Sequence, residues 1–210
     1  MLTSADWSWY NRLIWPAPIL AYAVGVLAVA FVFIRFPRRN LAMSLMLALF
    51  WAGGAATFVL MVRTNSFSLP ALFTAGFALE ALLIAAAGFR GRLRFGFAGS
   101  LRSMAGLFLV GYSLVLYPLI ASVHGRPFPR GPAFGVAPCP IAIFTFGMLL
   151  LTDARVPKHL VVIPVAWSVF GIGAAFALGV GEDLVLLAAA PAAVVLLAAR
   201  PALASSTGRV

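Results

Sequence analysis

Five side chains carry most of the chemistry open to this chain. Glu80 sits in the middle of an apolar stretch and is the one carboxylate so placed. An ionisable group at membrane depth costs about 3 kcal/mol or more, and by default it marks an ion pathway, a proton site or a structural pair. Cys139 is the single cysteine, clamped between Pro138 and Pro140. A thiolate is a soft metal ligand or a redox group, whereas a buried thiol is a small apolar filler. His124, Glu182 and Asp183 add an imidazole and two carboxylates, a donor set that with Cys139 suits a divalent cation. Their spacing matches no metal motif. As plain structure, the two acids suit the positive end of the helix that follows them.

The prolines around Cys139 break the start of an apolar span and leave backbone carbonyls free to line a cavity. Tyr112, Tyr117, Trp15 and Trp167 are the aromatic candidates for the same binding or pathway surface. Several catalytic classes are excluded. The chain has no glycine-rich phosphate loop, no His-Glu-x-x-His and no nucleophile elbow. A retinal Schiff base needs a lysine within a span, and the only lysine, Lys158, falls in a loop. No catalytic residue and no cofactor are expected.

These residues need a scaffold, and composition names it. The chain of 210 residues is 63% apolar and 10% charged, with a mean hydropathy of +1.06. Soluble domains are about half apolar and about a quarter charged, so the solvent here is lipid. The apolar runs are continuous rather than alternating, which excludes a barrel. An all-α, polytopic membrane fold of seven transmembrane helices follows. The spans run Trp15 to Ile34, Leu41 to Val62, Phe67 to Phe89, Ser103 to Val123, Phe134 to Leu151, Leu160 to Gly179 and Leu184 to Ala199. Residues 1–13, with Trp7, Trp9 and Tyr10, read as an interfacial arm. Residues 14–200 form one membrane domain, and 201–210 read as a disordered cytoplasmic tail.

The net charge of +10 does not imply nucleic acid, because the cations fill short gaps between spans, where they set topology and touch anionic headgroups. Alternate loops divide the basic residues unequally. Arg35, Arg38, Arg39, Arg90, Arg92, Arg94, Arg102, Arg155, Lys158, Arg200 and Arg209 fall on one side; Arg12, Arg63, Arg126 and Arg130 fall on the other. The bias puts the N-terminus outside and the C-terminus inside. The outer mouth then collects Trp15, Tyr117, His124, Cys139, Glu182 and Asp183. The first residues carry Asp6 and no basic run, so no cleavable signal is expected. A multi-pass place in the inner membrane is expected, with the lipid bilayer and other membrane proteins or further copies of the chain as partners.

Two patterns extend over longer distances. Trp15-Pro-Ala-Pro-Ile to Gly25 matches Ala137-Pro-Cys-Pro-Ile to Gly147 at both prolines, the isoleucine and the glycine. A weaker match joins Gly53–Phe58 and Gly171–Phe176. Together they suggest a parallel repeat of three helices on each side of a linker helix, an arrangement that places a substrate site at the repeat interface in some transporters. The second pattern is Phe134-Gly-Val-Ala-Pro-Cys-Pro to Gly147, with Leu116-Tyr-Pro118, Val162-Ile-Pro164, Trp167-Ser168, Gly181-Glu-Asp-Leu184, Tyr10-Asn11 and Ile14-Trp-Pro16. This set resembles a bacterial family of multi-spanning membrane proteins, domain-of-unknown-function family 6064, over nearly the whole chain. Ile141 and Ala142 stand where that family often carries threonines. The resemblance implies the fold and no activity.

Three functions fit these residues. The first is binding or movement of a small solute or ion through the helix bundle, resting on Glu80, the proline-broken span and the repeat. The second is a structural or accessory subunit packed against partner membrane proteins. The third is a redox or metal-binding membrane protein using Cys139 and His124.

Overall fold

A computed structural model describes residues 4–62 and 68–199. The turn at Arg63 and the tail 201–210 lie outside the described residues. The described chain is helical, with one isolated antiparallel bridge between Phe95 and Thr152. Its helices are α1 (Ser4–Leu13), α2 (Ala17–Phe33), α3 (Arg39–Val62), α4 (Ser68–Phe89), α5 (Leu101–Gly111), α6 (Tyr117–Val123), α7 (Pro138–Leu150), α8 (His159–Leu178) and α9 (Leu186–Ala198). A π-turn, Tyr112–Leu116, joins α5 to α6, and a 3-10 turn, Gly181–Val185, precedes α9.

The boundaries follow local chemistry. Pro18 sits in the first turn of α2, where its missing N–H is harmless. Ser100 caps α5 by accepting from the Ser103 amide at 3.3 Å. Gly179, at φ 65°, closes α8 in the left-handed conformation that favours glycine. Pro118 has no N–H to give the preceding turn and its ring crowds the carbonyl there, which accounts for the π-turn between α5 and α6.

Five stretches are long and apolar enough to cross a bilayer: Arg39–Leu60, Ala71–Phe89, Leu101–Val123, His159–Ala177 and Gly181–Ala198. Trp7–Leu13 and Ala17–Phe33 pass that test together but meet at an 80° bend. The expectation of seven spans therefore resolves to five or six by length. The difference lies in α7, whose 13 residues reach only about 20 Å at 1.5 Å per residue, against a hydrocarbon core of about 30 Å.

Although short, α7 is the centre of the bundle. Pro138 and every residue from Pro140 to Leu150 are buried. Gly147 lies so close to α5 that a Cβ on it would sit 2.7 Å from the Gly106 carbonyl, and one on Gly106 would sit 2.8 Å from the Gly147 carbonyl. Small residues let membrane helices approach this closely. The other matched half of the suggested repeat, α2, buries only Pro18, Gly25, Ala28 and Val32, so the two segments occupy unlike positions.

Loop contacts sort into two ends. At one end Asn40 accepts from the Phe95 amide at 3.0 Å, Arg39 donates to the Phe95 carbonyl at 2.7 Å, and Arg102 donates to Thr152 at 2.9 Å. At the other end the arm docks on the loop before α7. Asn11 donates to the carbonyls of Pro129 and Gly131, both at 2.8 Å. Tyr10 and Thr57 share a hydrogen bond of 2.6 Å, and Thr57 donates onward to the Val136 carbonyl at 2.8 Å. The arm expected to lie at the interface is thus a helix whose Tyr10 and Asn11 are buried, with Trp9 exposed.

Candidate functional site

Two groups of polar side chains enter the apolar bundle. The first is Glu80 alone. It lies on α4, fully buried, and neither carboxyl oxygen has a hydrogen-bond partner among the described residues. One turn earlier on α4, Phe77 packs between Trp51 and Trp167 at ring-centroid distances of 4.5 and 5.2 Å. Phe58 and Phe73 complete this aromatic layer. The helix that carries Glu80 is held closely against α3, since a Cβ on Gly54 would meet Phe77 and one on Gly88 would meet Ser44. An ionised carboxylate with no partner in such surroundings costs several kcal/mol. Glu80 therefore needs a proton or a bound cation.

The second group closes the end of the bundle where α6, α7, α8 and the 3-10 turn meet. Tyr117 donates to Asp183 Oδ1 at 2.7 Å, and Tyr112 donates to the Glu182 carbonyl at 2.9 Å. Ser113 donates to the Pro140 carbonyl at 2.7 Å, fixing the π-turn to the start of α7. That carbonyl belongs to the proline-flanked segment, so its acceptor is used internally. The Cys139 thiol lies against the Asp183 carboxylate and the Trp167 indole N–H. A Cβ on Gly171 would come within 3.5 Å of that sulfur and 3.7 Å of the indole nitrogen.

Glu182 is fully buried, and its partners differ from those of Asp183. Arg126 donates to its Oε2 at 2.8 Å, and His124 Nδ1 stands 3.8 Å from the same oxygen. Arg126 also reaches the Gly179 carbonyl at 3.4 Å. These charge-assisted contacts fasten the loop after α6 to the turn before α9.

Of the residues singled out from sequence, Tyr112, Tyr117, Cys139, Trp167, His124, Glu182 and Asp183 meet in this second group. Pro138 and Pro140 lie beside it at the start of α7. Trp15 does not join them; it is exposed and packs on Phe128, with ring centroids 6.0 Å apart. Glu80 also stands apart. Among the described residues no three His, Cys, Asp or Glu side chains come together as a metal site. Arg126 occupies Glu182, while Tyr117 occupies Asp183.

Sequence reasoning missed Arg126 as the partner of Glu182, having counted it only as a loop charge. It also missed the Trp51 indole, which donates to Thr145 at 2.9 Å between α3 and α7. A polar residue within an apolar span is the available signal for Thr145, but its partner is 94 residues away.

No curated protein and no solved structure matches the chain. A family model described as a family of unknown function, DUF6064, matches residues 6–207. That match spans both polar groups and every described helix but the first residues of α1, and the chain belongs to this family of unknown function.

Proposed function

We propose that the chain is a multi-pass protein of the inner membrane that binds a proton or small cation at Glu80 and moves an ion or small solute through its bundle. One observation carries the reading: a fully buried carboxyl on a membrane-length helix with both oxygens unpartnered among the described residues. Buried polar atoms in native proteins are nearly always satisfied, and the exceptions call for a ligand, a proton or a working role.

We further propose seven crossings, with the N-terminus outside. The sorting of loop contacts into two ends supports this. The first turns of α3 and α5 and the loops after α4 and α7 bond one another through Arg39, Asn40, Phe95, Arg102 and Thr152. The arm and the loops after α6 and α8 bond at the opposite end through Asn11, Arg126 and Glu182. Counting α7 as a crossing reconciles these two sets, because its ends belong to opposite groups. Its flanks, Phe134 to Ala137 and Leu151, are buried too and lengthen the crossing.

The test is ion movement in proteoliposomes carrying an internal pH-sensitive dye. An imposed cation gradient drives a dye signal with the wild-type protein and none with Glu80→Gln. Equal signals from the two proteins, or none from either across a broad ion panel, overturn the proposal.

A further inference from the structure

A basic cleft opens at the end of the bundle opposite the Glu182 cluster. Its cavity is about 550 Å³, lined by two loops, one around Arg92 and Arg94 and the other around Arg155 and Lys158. All four cations are exposed. Among the described residues the close acid–base pairs involve Glu182 at the far end, and none of these four cations is paired with an acid. The nearest acid, Asp153, is turned towards the backbone of Gly96, and its own amide donates to the Arg94 carbonyl at 2.7 Å. Four uncompensated cations around one concavity form a site for a polyoxygen anion.

The flanks of the cleft decide which anion. It lies at the ends of α4 and α8, which pack together through Phe73 and Phe170 at 4.6 Å and Phe77 and Trp167 at 5.2 Å. Both helices carry exposed apolar side chains: Leu82 and Phe89 on α4, Val162 and Val169 on α8. Cations gathered at the ends of two helices that expose apolar side chains match an amphiphile, not a free ion. We propose that the cleft binds the phosphate of an anionic phospholipid, with the acyl chains along the seam between α4 and α8. This site is independent of Glu80, and failure of either proposal leaves the other standing.

Native mass spectrometry of the full-length protein in detergent tests it, with added phosphatidylglycerol or cardiolipin compared with phosphatidylcholine. The comparison variant is Arg92→Gln/Arg155→Gln; the control, Arg35→Gln/Arg38→Gln, removes the same charge from the same end outside the cleft. Each membrane-surface cation contributes about fivefold to anionic-lipid affinity, so the cleft variant is expected to bind the anionic lipid at least about tenfold more weakly while the control binds as wild type. Equal retention of phosphatidylcholine, or equal loss in the control, overturns the proposal. Should the cleft variant misfold, competition on the wild type decides. Lipid retained against inorganic phosphate supports a lipid site, and lipid displaced by it shows a free-phosphate site and overturns the assignment.

Discussion

Tyr117 gives its backbone N–H to the carbonyl of Tyr112, five residues earlier, and the two phenols then reach adjacent residues, Asp183 and Glu182. In a regular α-helix, residues five apart point about 140° away from each other. The π-turn closes most of that angle, so both rings serve one short 3-10 turn. Such turns are frequent at functional positions, and here Pro118 supplies the local cause while the Glu182–Asp183 turn supplies the tertiary gain.

Removing these phenolic hydroxyls separates the two bonds by strength. Tyr117→Phe leaves a buried carboxylate with one donor fewer and is expected to destabilise by about 2 kcal/mol; Tyr112→Phe removes a bond to a neutral carbonyl and costs about 1 kcal/mol. Thermal unfolding in one detergent reads both. Equal and negligible shifts would show that the π-turn is set by Pro118 alone.

The Arg126–Glu182 pair is buried on the acidic side. Arg126→Ala strands the carboxylate and is expected to cost about 3–5 kcal/mol. Adding Glu182→Gln to Arg126→Ala removes the stranded charge and should recover part of that loss. A double-mutant cycle measured by denaturation shows the coupling; additive losses would mean that the pair does not act as a unit.

Gly147 and Gly76 form a matched contrast. Gly147→Ala pushes a methyl against the Gly106 carbonyl, 2.7 Å from its ideal Cβ position, and should destabilise by about 1–3 kcal/mol. Gly76→Ala meets nothing within 4 Å and should be neutral or stabilising by up to about 1 kcal/mol. The reverse order of melting temperatures would contradict the close approach of α5 and α7.

The spans were legible because lipid demands long apolar runs, and the ends of α3, α4 and α8 fall within a few residues of the composition breaks. The surroundings of each span were not. An all-apolar helix reads the same whether it faces lipid or protein, so α7 gave no sign that it is the buried centre while α2 is peripheral. The second polar group was legible as a set, since the expected alternation of loops puts Tyr117, His124, Cys139, Glu182 and Asp183 at one end. Its pairing was not, because Arg126 and Glu182 are 56 residues apart and the π-turn depends on contacts that no local pattern encodes. Trp15 was misplaced with them because an aromatic beside prolines suits a binding mouth and a lipid headgroup layer equally well.

Topology is open to a direct check. With Cys139→Ser as background, Arg130→Cys should react with a membrane-impermeant maleimide in intact cells, and Arg92→Cys only after permeabilisation. An Arg155→Cys probe, beyond α7, should likewise react only after permeabilisation; reaction of Arg130→Cys and Arg155→Cys alike from outside would remove α7 as a crossing, and the inverse pattern of Arg130→Cys and Arg92→Cys would reverse the orientation.

Glu80 holds the central claim, and a hydrophobic carbodiimide, which attacks protonated carboxyls from the lipid phase, addresses it most directly. Peptide mass spectrometry of the treated protein should find the adduct on Glu80, formed more slowly as the pH rises and more slowly again when a bound cation displaces the proton. An adduct rate indifferent to pH and to every cation tried, or an adduct absent from Glu80 altogether, would contradict a proton- or cation-binding role.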